Sequence, residues 1–341
     1  MRPQLLGAEL IKMGVHVSYI VEDYPENVRA DLVHEKATVV FVPRSRGMES
    51  IRARRRAVGK LNPDFMHILN PSAKAFFSLI FTPSVKVIGD WEEWQAFNST
   101  NFSAGKLFLE KILDAWLRRR SYLRCVVSQY LKMEFKKMGY DSVYVPYAQY
   151  LDPVPEDGSS PFQEPAAVYM GSFQPRYDQD VVFDALLLLK KRGFEANVFF
   201  IGGGRDLEMW RNFVEVNQLA NVKIMGRLDW EELWPYMRHA HVLLFPIRSN
   251  LLNLARCPAK TLAYAQASRP IVTCDVGEVS TFLGQEAKYI ESKPEAFADE
   301  IQYSLTTKKE EDVLYPLKDH TWKHRAEVIL AALMVSHHSE K

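Results

Sequence analysis

Residues 242–274, VLLFPIRSNLLNLARCPAKTLAYAQASRPIVTC, decide the fold. Their first four residues, Val242–Phe245, are apolar without alternation, as in a strand covered on both faces. A polar loop follows, then a helical period over 258–267 with Pro258 suited to the first turn, and a second apolar strand over 270–274. Two strands joined through a helix run parallel, because no hairpin links them. Arg256 and Lys260, four residues apart, are then expected to project to one side of the helix start. There two cations and the helix dipole would converge on a diphosphate, although an exposed basic helix end has the same composition.

The same alternation extends in both directions. Upstream, strands are expected at 167–170, 197–201 and 222–225, with helices at 181–191, 206–216 and 230–238. Nearer the start, Leu5, Leu6, Leu10 and Ile11 mark the inner face of a first helix that Gly14 ends, and a strand is expected at 15–21. Further strands are expected at 37–42, 65–69, 85–88, 125–127 and 142–145. This is a doubly wound α/β pattern, twice over. The stretch 152–164, DPVPEDGSSPFQE, gathers Pro, Asp, Gly and Ser with almost nothing to bury, and reads as a linker. The organisation expected is an N-terminal domain over 1–151, the linker, a C-terminal domain over 165–318, and a final helix within 319–341 that packs back on the first domain.

A chain of 341 residues suits two such domains, and 43 basic against 42 acidic residues give a formal charge of +1. A balance so close to neutral offers no field for nucleic acid. Cys125, Cys257 and Cys274 form neither a CxxC pair nor a zinc pattern, which fits reduced thiols in a cytosol and no metal site. The longest apolar run, 75–81, is too short to span a bilayer, and the N-terminus lacks the apolar core of a signal peptide.

In an open parallel sheet, ligands bind at the carboxyl ends of strands, so the loops there carry the chemistry. Gly202, Gly203, Gly204 and Arg205 follow one strand, and their backbone would let a phosphate or nucleotide approach; a tight turn without a ligand uses the same glycines. Gly171, Ser172 and Arg176 follow another, with hydroxyl and guanidinium groups that suit a diphosphate or a sugar, or equally a solvated turn.

The order of these segments resembles retaining glycosyltransferases of the GT-B fold, glycosyltransferase family 4. The residues 258–272, PAKTLAYAQASRPIV, followed by Asp275-Val276-Gly277, are similar to that family's P-x-K-x-x-E-Y-x-A-x-G-x-P-V-V signature. Val168–Phe173, Ile201–Gly204, Met225–Leu228 and Asp319–Trp322 are supporting matches. The resemblance implies two Rossmann-like domains facing across a cleft, with donor-binding roles for the residues already named and for Arg227, Asn253 and Thr261. It implies Arg256 and Lys260 as the groups that neutralise the departing diphosphate. The departures are specific. Ala263 stands where the family has the glutamate that holds the donor ribose, Ala255 where many members have a second acid, and Ser268 where glycine is usual. Asn253, Arg256, Pro258 and Lys260 fit an Asn-x-x-Arg-x-Pro-x-Lys variant. The family also opens with a central strand and glycine loop before the helix that starts here near Arg2, so the N-terminal sheet is expected to lack its first strand.

By the same resemblance the acceptor side supplies a polar catalytic residue. Asp90-Trp91-Glu92-Glu93-Trp94 follows an expected strand, and Asp90 is the choice over Glu93, with Glu92 and Glu93 on the acceptor side. The function implied is transfer of a hexose-type sugar, with retention and without metal or other cofactor, from a UDP- or GDP-linked donor to a glycan or lipid-linked acceptor in cell-surface polysaccharide synthesis. The alternative is a catalytically inactive protein of the same fold that binds a nucleotide sugar or a partner, which Ala255 and Ala263 favour. Basic runs at Arg44, Arg46, Arg52, Arg54, Arg55, Arg56 and Lys60, and at Arg118, Arg119, Arg120 and Arg124, suit anionic lipid headgroups as well as solvated helix faces. The expected location is the cytoplasm, peripherally at the inner face of the membrane.

Overall fold

The structure, a computed structural model, describes residues 2–24, 33–44, 48–70, 79, 84–94, 103–149, 154–174, 177–307 and 312–338. The chain divides into two compact units, one of Met1–Ala148, Leu254–Cys257 and His320–Lys341, the other of Gln149–Asn253 and Pro258–Asp319.

The first unit runs α1 (Arg2–Lys12), β1 (Ser18–Glu22), β2 (Thr38–Val42), α2 (Met48–Leu61), β3 (Phe65–Leu69), β4 (Lys86–Trp91), α3 (Ala104–Arg120), β5 (Leu123–Val126), α4 (Gln129–Lys137) and β6 (Val143–Tyr144). All pairings are parallel, in two sheets, β1-β2 and β3-β4-β5-β6. Among the described residues no strand joins β1 to β3. Ser103 and Ser128 start α3 and α4, each side chain accepting a hydrogen bond from the backbone N–H three residues on. β4 is longer than its apolar pattern announces, because it is paired with β3 as far as Asp90 and with β5 as far as Trp91; Asp90 sits opposite Leu69 and Cys125 inside the sheet.

The second unit runs β7 (Ala167–Met170), α5 (Asp180–Lys191), β8 (Val198–Ile201), α6 (Leu207–Val216), β9 (Val222–Gly226), α7 (Trp230–His239), β10 (Val242–Phe245), α8 (Leu251–Ala255), α9 (Lys260–Gln266), β11 (Ile271–Thr273), α10 (Val279–Leu283), β12 (Lys288–Tyr289) and α11 (Pro294–Thr306). Its six strands form one parallel sheet in the order β12-β11-β10-β7-β8-β9. Aromatic rings fill the layer on one face, with Phe183 of α5 stacked at 4.2 Å on both Phe200 of β8 and Trp210 of α6. The final helix, α12 (Trp322–His338), belongs to the first unit, where Ala326 and Ile329 share a core with Leu6, Ile88, Leu123, Cys125 and Val145.

The described part of the stretch read as a linker is bound to the second unit. Asp157 accepts from Trp234 Nε1 at 3.3 Å and from Arg238 Nε at 3.0 Å, and the Phe162 ring packs on Phe199 and Tyr236. One aromatic and one carboxylate suffice to dock a segment that composition alone marks as free. Among the described residues no helix is long and apolar enough to cross a membrane.

Candidate functional site

Strand order reverses between β10 and β7, because β8 and β9 follow on one side and β11 and β12 on the other. At such a point the loops after adjacent strands diverge and leave a crevice outside their carboxyl ends. Tyr264 of α9 bridges it from below. Its buried hydroxyl accepts from the Met170 N–H at 2.6 Å and donates to the Leu244 carbonyl at 3.1 Å, so one side chain ties β7 to β10. Lys260, one turn earlier, places its ammonium at the mouth, 4.5 Å from the centroids of Tyr169 at the end of β7 and Phe245 at the end of β10. It also reaches the Met170 carbonyl at 3.4 Å.

The helical signature departs from expectation at its start. α9 begins at Lys260, after Ala259, and a separate short helix, α8, ends at Ala255. Arg256 and Lys260 therefore lie on either side of a break rather than one turn apart on a helix, and they fall in different units. The cause is Pro258, whose ring cannot continue α8 through the break. Ala255 and Ala263 are both buried.

The glycine loop has a local explanation. A Cβ on Gly202 would land on the Gly171 carbonyl oxygen, and one on Gly204 on the Phe173 carbonyl, while one on Gly203 would make only an ordinary van der Waals contact, with Arg227 Cβ at 3.7 Å. Gly202 and Gly204 also have φ of 148° and 156°. Two strand-end loops thus touch backbone to backbone, with Gly171 N–H donating to Ile201 and Phe173 N–H to Gly203. These glycines let the β8 loop support the β7 loop; Gly203, between them, has room for a Cβ.

Asp178 and Arg248, neither chosen from the sequence, hold the remaining loops. Asp178, 8% exposed, accepts from the Arg248 N–H at 2.9 Å, from its guanidinium at 3.2 Å, and from Asn253 Nδ2 at 2.9 Å; Arg248 also forks onto Asp180 at 2.8 and 2.6 Å. Asn253 is fully buried in this lock, so it braces the loop after β10 from within. Thr261 is likewise fully buried and packs α9 inward. Ser172 is half-exposed beside the crevice, Arg227 is exposed, and Arg205 is exposed and paired with Asp206 at 3.1 Å. Arg176 lies outside the described residues.

In the first unit the expected catalytic residue is an interior ion. Asp90 has no exposure; Arg2 donates to its carboxylate at 3.0–3.1 Å and His67 Nε2 lies 3.0 Å away. Arg2, itself buried, also donates to the Val145 and Pro146 carbonyls. Burial alone would push the Asp90 pKa up, but Arg2 and then His67 outweigh it and hold it below the ordinary value. Asp90 is thus not placed to meet an acceptor. Glu92 is the more accessible carboxyl, with its side chain 17% exposed, bonded to Asn70 Nδ2 and to Tyr147 Oη, both at 3.1 Å. Burial and then the charge of Asp90 push its pKa up, against the pull of Arg2. Glu93 is half-buried. Asn70, which takes a positive φ of 46° just past β3, and Tyr147 had no sequence signal beyond their polarity at strand ends.

Comparison with known proteins accords with this geometry. Residues 164–307, which contain nearly the whole six-stranded unit, match the family model described as "Glycosyl transferases group 1". A 110-residue stretch is 26% identical to an uncharacterized glycosyltransferase of Methanocaldococcus jannaschii, covering 32% of this chain and 28% of that protein. Over 98% of this chain the fold is similar to the sucrose-phosphate synthase of Thermosynechococcus elongatus, with TM-score 0.66, 15% identity and 91% of that chain covered. Over 99% it is similar to the Anabaena protein HepE, solved with UDP and glucose, with TM-score 0.63, 12% identity and 95% covered. At these identities the likeness shows the fold: the chain is an α/β protein of the GT-B class, with two Rossmann-like domains.

Two outcomes follow from the packing. Gly202→Ala and Gly204→Ala each lose about 2 kcal/mol or more of stability in urea unfolding, through backbone strain, whereas Gly203→Ala stays within about 0.5 kcal/mol of wild type. Arg2→Leu costs about 3–5 kcal/mol near neutral pH by leaving the Asp90 charge buried without its cation. The sign with pH is set by Asp90. In wild type its depressed pKa contributes stability that is present above the unfolded value and lost as pH falls through the folded one. In the variant burial raises the pKa, so protonation favours the native state. The gap between wild type and variant therefore narrows as melting curves are taken from about pH 7 toward about pH 4.

Proposed function

We propose that this chain transfers a sugar from a nucleotide-sugar donor to an acceptor hydroxyl, with the donor bound at the β7–β10 crevice of the second unit. The observation that carries this reading is the Lys260 ammonium, held over Tyr169 and Phe245 where strand order reverses, inside the region that matches glycosyl transferases group 1. A cation fixed there before the reaction stabilises negative charge as the nucleoside diphosphate departs, without reorganising when it forms. Arg256 is the second cation in this reading, and Ser172 and the Gly171 and Gly203 backbone complete the donor surface. Retention of configuration, with the departing diphosphate helping to take the acceptor proton and no metal required, is the mechanism that suits such a site. On the acceptor side Glu92, rather than Asp90, is the carboxyl proposed to orient the incoming hydroxyl, because a raised pKa and partial exposure suit exchange of a hydrogen bond. The substrates proposed are a UDP- or GDP-linked hexose and a glycan or lipid-linked acceptor, in cell-surface glycan synthesis.

Calorimetric titration with UDP, GDP and their sugars tests the reading. Wild type is expected to bind one nucleotide series, and Lys260→Ala and Arg256→Ala each to weaken it about tenfold or more, through loss of a charge-assisted contact of about 1.5–3 kcal/mol. A folded wild-type chain that binds neither UDP nor GDP overturns the donor site. Binding without turnover against any acceptor would instead mark an inactive sugar-nucleotide binder.

A further inference from the structure

Glu92 is gripped by a single oxygen. Its Oε2 accepts from Asn70 Nδ2 and from Tyr147 Oη, both at 3.1 Å. A carboxylate oxygen offers two lone pairs in its plane, so these two donors fill it. Oε1 has no hydrogen-bond donor among the described residues. Arg2 Nε stands 3.6 Å from it, and that N–H is already given to Asp90 at 3.1 Å.

Asn70 holds the main chain as well as the carboxyl. Its backbone N–H donates to the Asp90 carbonyl at 2.9 Å, and its Oδ1 accepts from the Glu92 N–H at 3.1 Å. Asn70 directly follows β3 in a left-handed conformation, φ 46°, which asparagine tolerates better than most residues. The amide side chain therefore continues the β3–β4 ladder where the backbone of β3 leaves it. Trp91, between the two bonded peptide groups, is buried and donates to Asp114 at 2.8 Å, so Glu92 starts from a fixed backbone. Tyr147 comes from beyond β6. Burial, and then the charge of Glu92, push its phenol well above the ordinary value, so toward Glu92 it is always the donor. The charges that bear on this carboxyl are Asp90 and Arg2, with His67 bonded to Asp90 from β3.

Resting on the reading in which Glu92 orients the acceptor, we propose that Asn70 and Tyr147 are the positioning residues of that carboxyl: they occupy Oε2 and leave Oε1 as the oxygen that meets the acceptor hydroxyl. While Glu92 is an anion, the hydroxyl donates to Oε1. When Glu92 is protonated, the proton resides on Oε1, because both lone pairs of Oε2 are taken, and the hydroxyl accepts from it. A merely structural pair would hold the same loop without fixing which oxygen carries the proton.

Titration of the glutamate carboxyl carbons by NMR in the full chain tests this, with Glu92→Gln identifying the Glu92 resonance. Asn70→Asp keeps an oxygen for the Glu92 N–H but sets a second carboxylate against Oε2. It is expected to raise the Glu92 midpoint by at least about one pH unit. Tyr147→Phe, which loses only the hydroxyl, is expected to raise it by about half a unit or more, and decides the matter if Asn70→Asp does not fold. In sugar transfer, Glu92→Gln and Tyr147→Phe are each expected to lose at least about tenfold in kcat, with the donor KM within about twofold of wild type. A Glu92 midpoint that stays at the wild-type value in the folded variants overturns the proposal. Transfer impaired in Glu92→Gln but intact in Tyr147→Phe overturns the positioning role alone, whereas transfer intact in Glu92→Gln removes the acceptor role on which it rests.

Discussion

Two parallel strands that lead away from each other need something to hold their ends, and in the second unit that is the Tyr264 hydroxyl. It is the acceptor for the Met170 N–H and the donor to the Leu244 carbonyl, so both strand ends are satisfied by one buried group. Burial pushes its pKa far above the ordinary tyrosine value, which keeps the proton in place as a donor. Everything above it inherits that geometry. Lys260 is one turn from Tyr264 on the same helix, and its ammonium is therefore carried to the mouth of the crevice. The loops after β7, β8 and β10 are then locked to one another, by backbone contact at Gly202 and Gly204 and by the Asp178–Arg248–Asn253 lock.

The first unit solves a different problem, that of charge inside a sheet. Asp90 occupies an interior position of β4, and a lone carboxylate there would be costly. Arg2, from the first turn of α1, neutralises it and spends its remaining donors on carbonyls past β6. The arrangement joins α1, β4 and the segment after β6 through one guanidinium. It also sets the electrostatics of Glu92 next to it, which feels the Asp90 charge from one side and Arg2 from the other. Two carboxyl groups two residues apart thereby acquire opposite shifts, Asp90 giving up its proton more readily than an ordinary carboxyl and Glu92 holding its own more readily.

The resemblance to GT-B glycosyltransferases rested on spacing, and where spacing stands for topology it served well: β7 and β10 lie where their apolar runs do, and the order reverses at the crevice the signature borders. It served less well where a side chain's partner decides its role. Asp90 and Glu92 differ by two positions in sequence and by a buried guanidinium in space. The glycines of 202–204 looked like a ligand loop, and two of them answer instead to carbonyl oxygens some thirty residues earlier. Arg118, Arg120 and Arg124 read as a basic patch until each found an internal acceptor.

The amino-acid sequence by itself determined the α/β class, the parallel course of the strands, and the strand-end loops that border the crevice, because apolar periodicity, glycine and proline act through local geometry. Only the tertiary structure decided which carboxylate is buried, which glycines are steric necessities, that Arg256 and Lys260 are separated by a helix break, and which side of α3 faces inward. Those properties depend on partners distant in sequence, and burial and charge pairing exist only once the chain has brought the partners together.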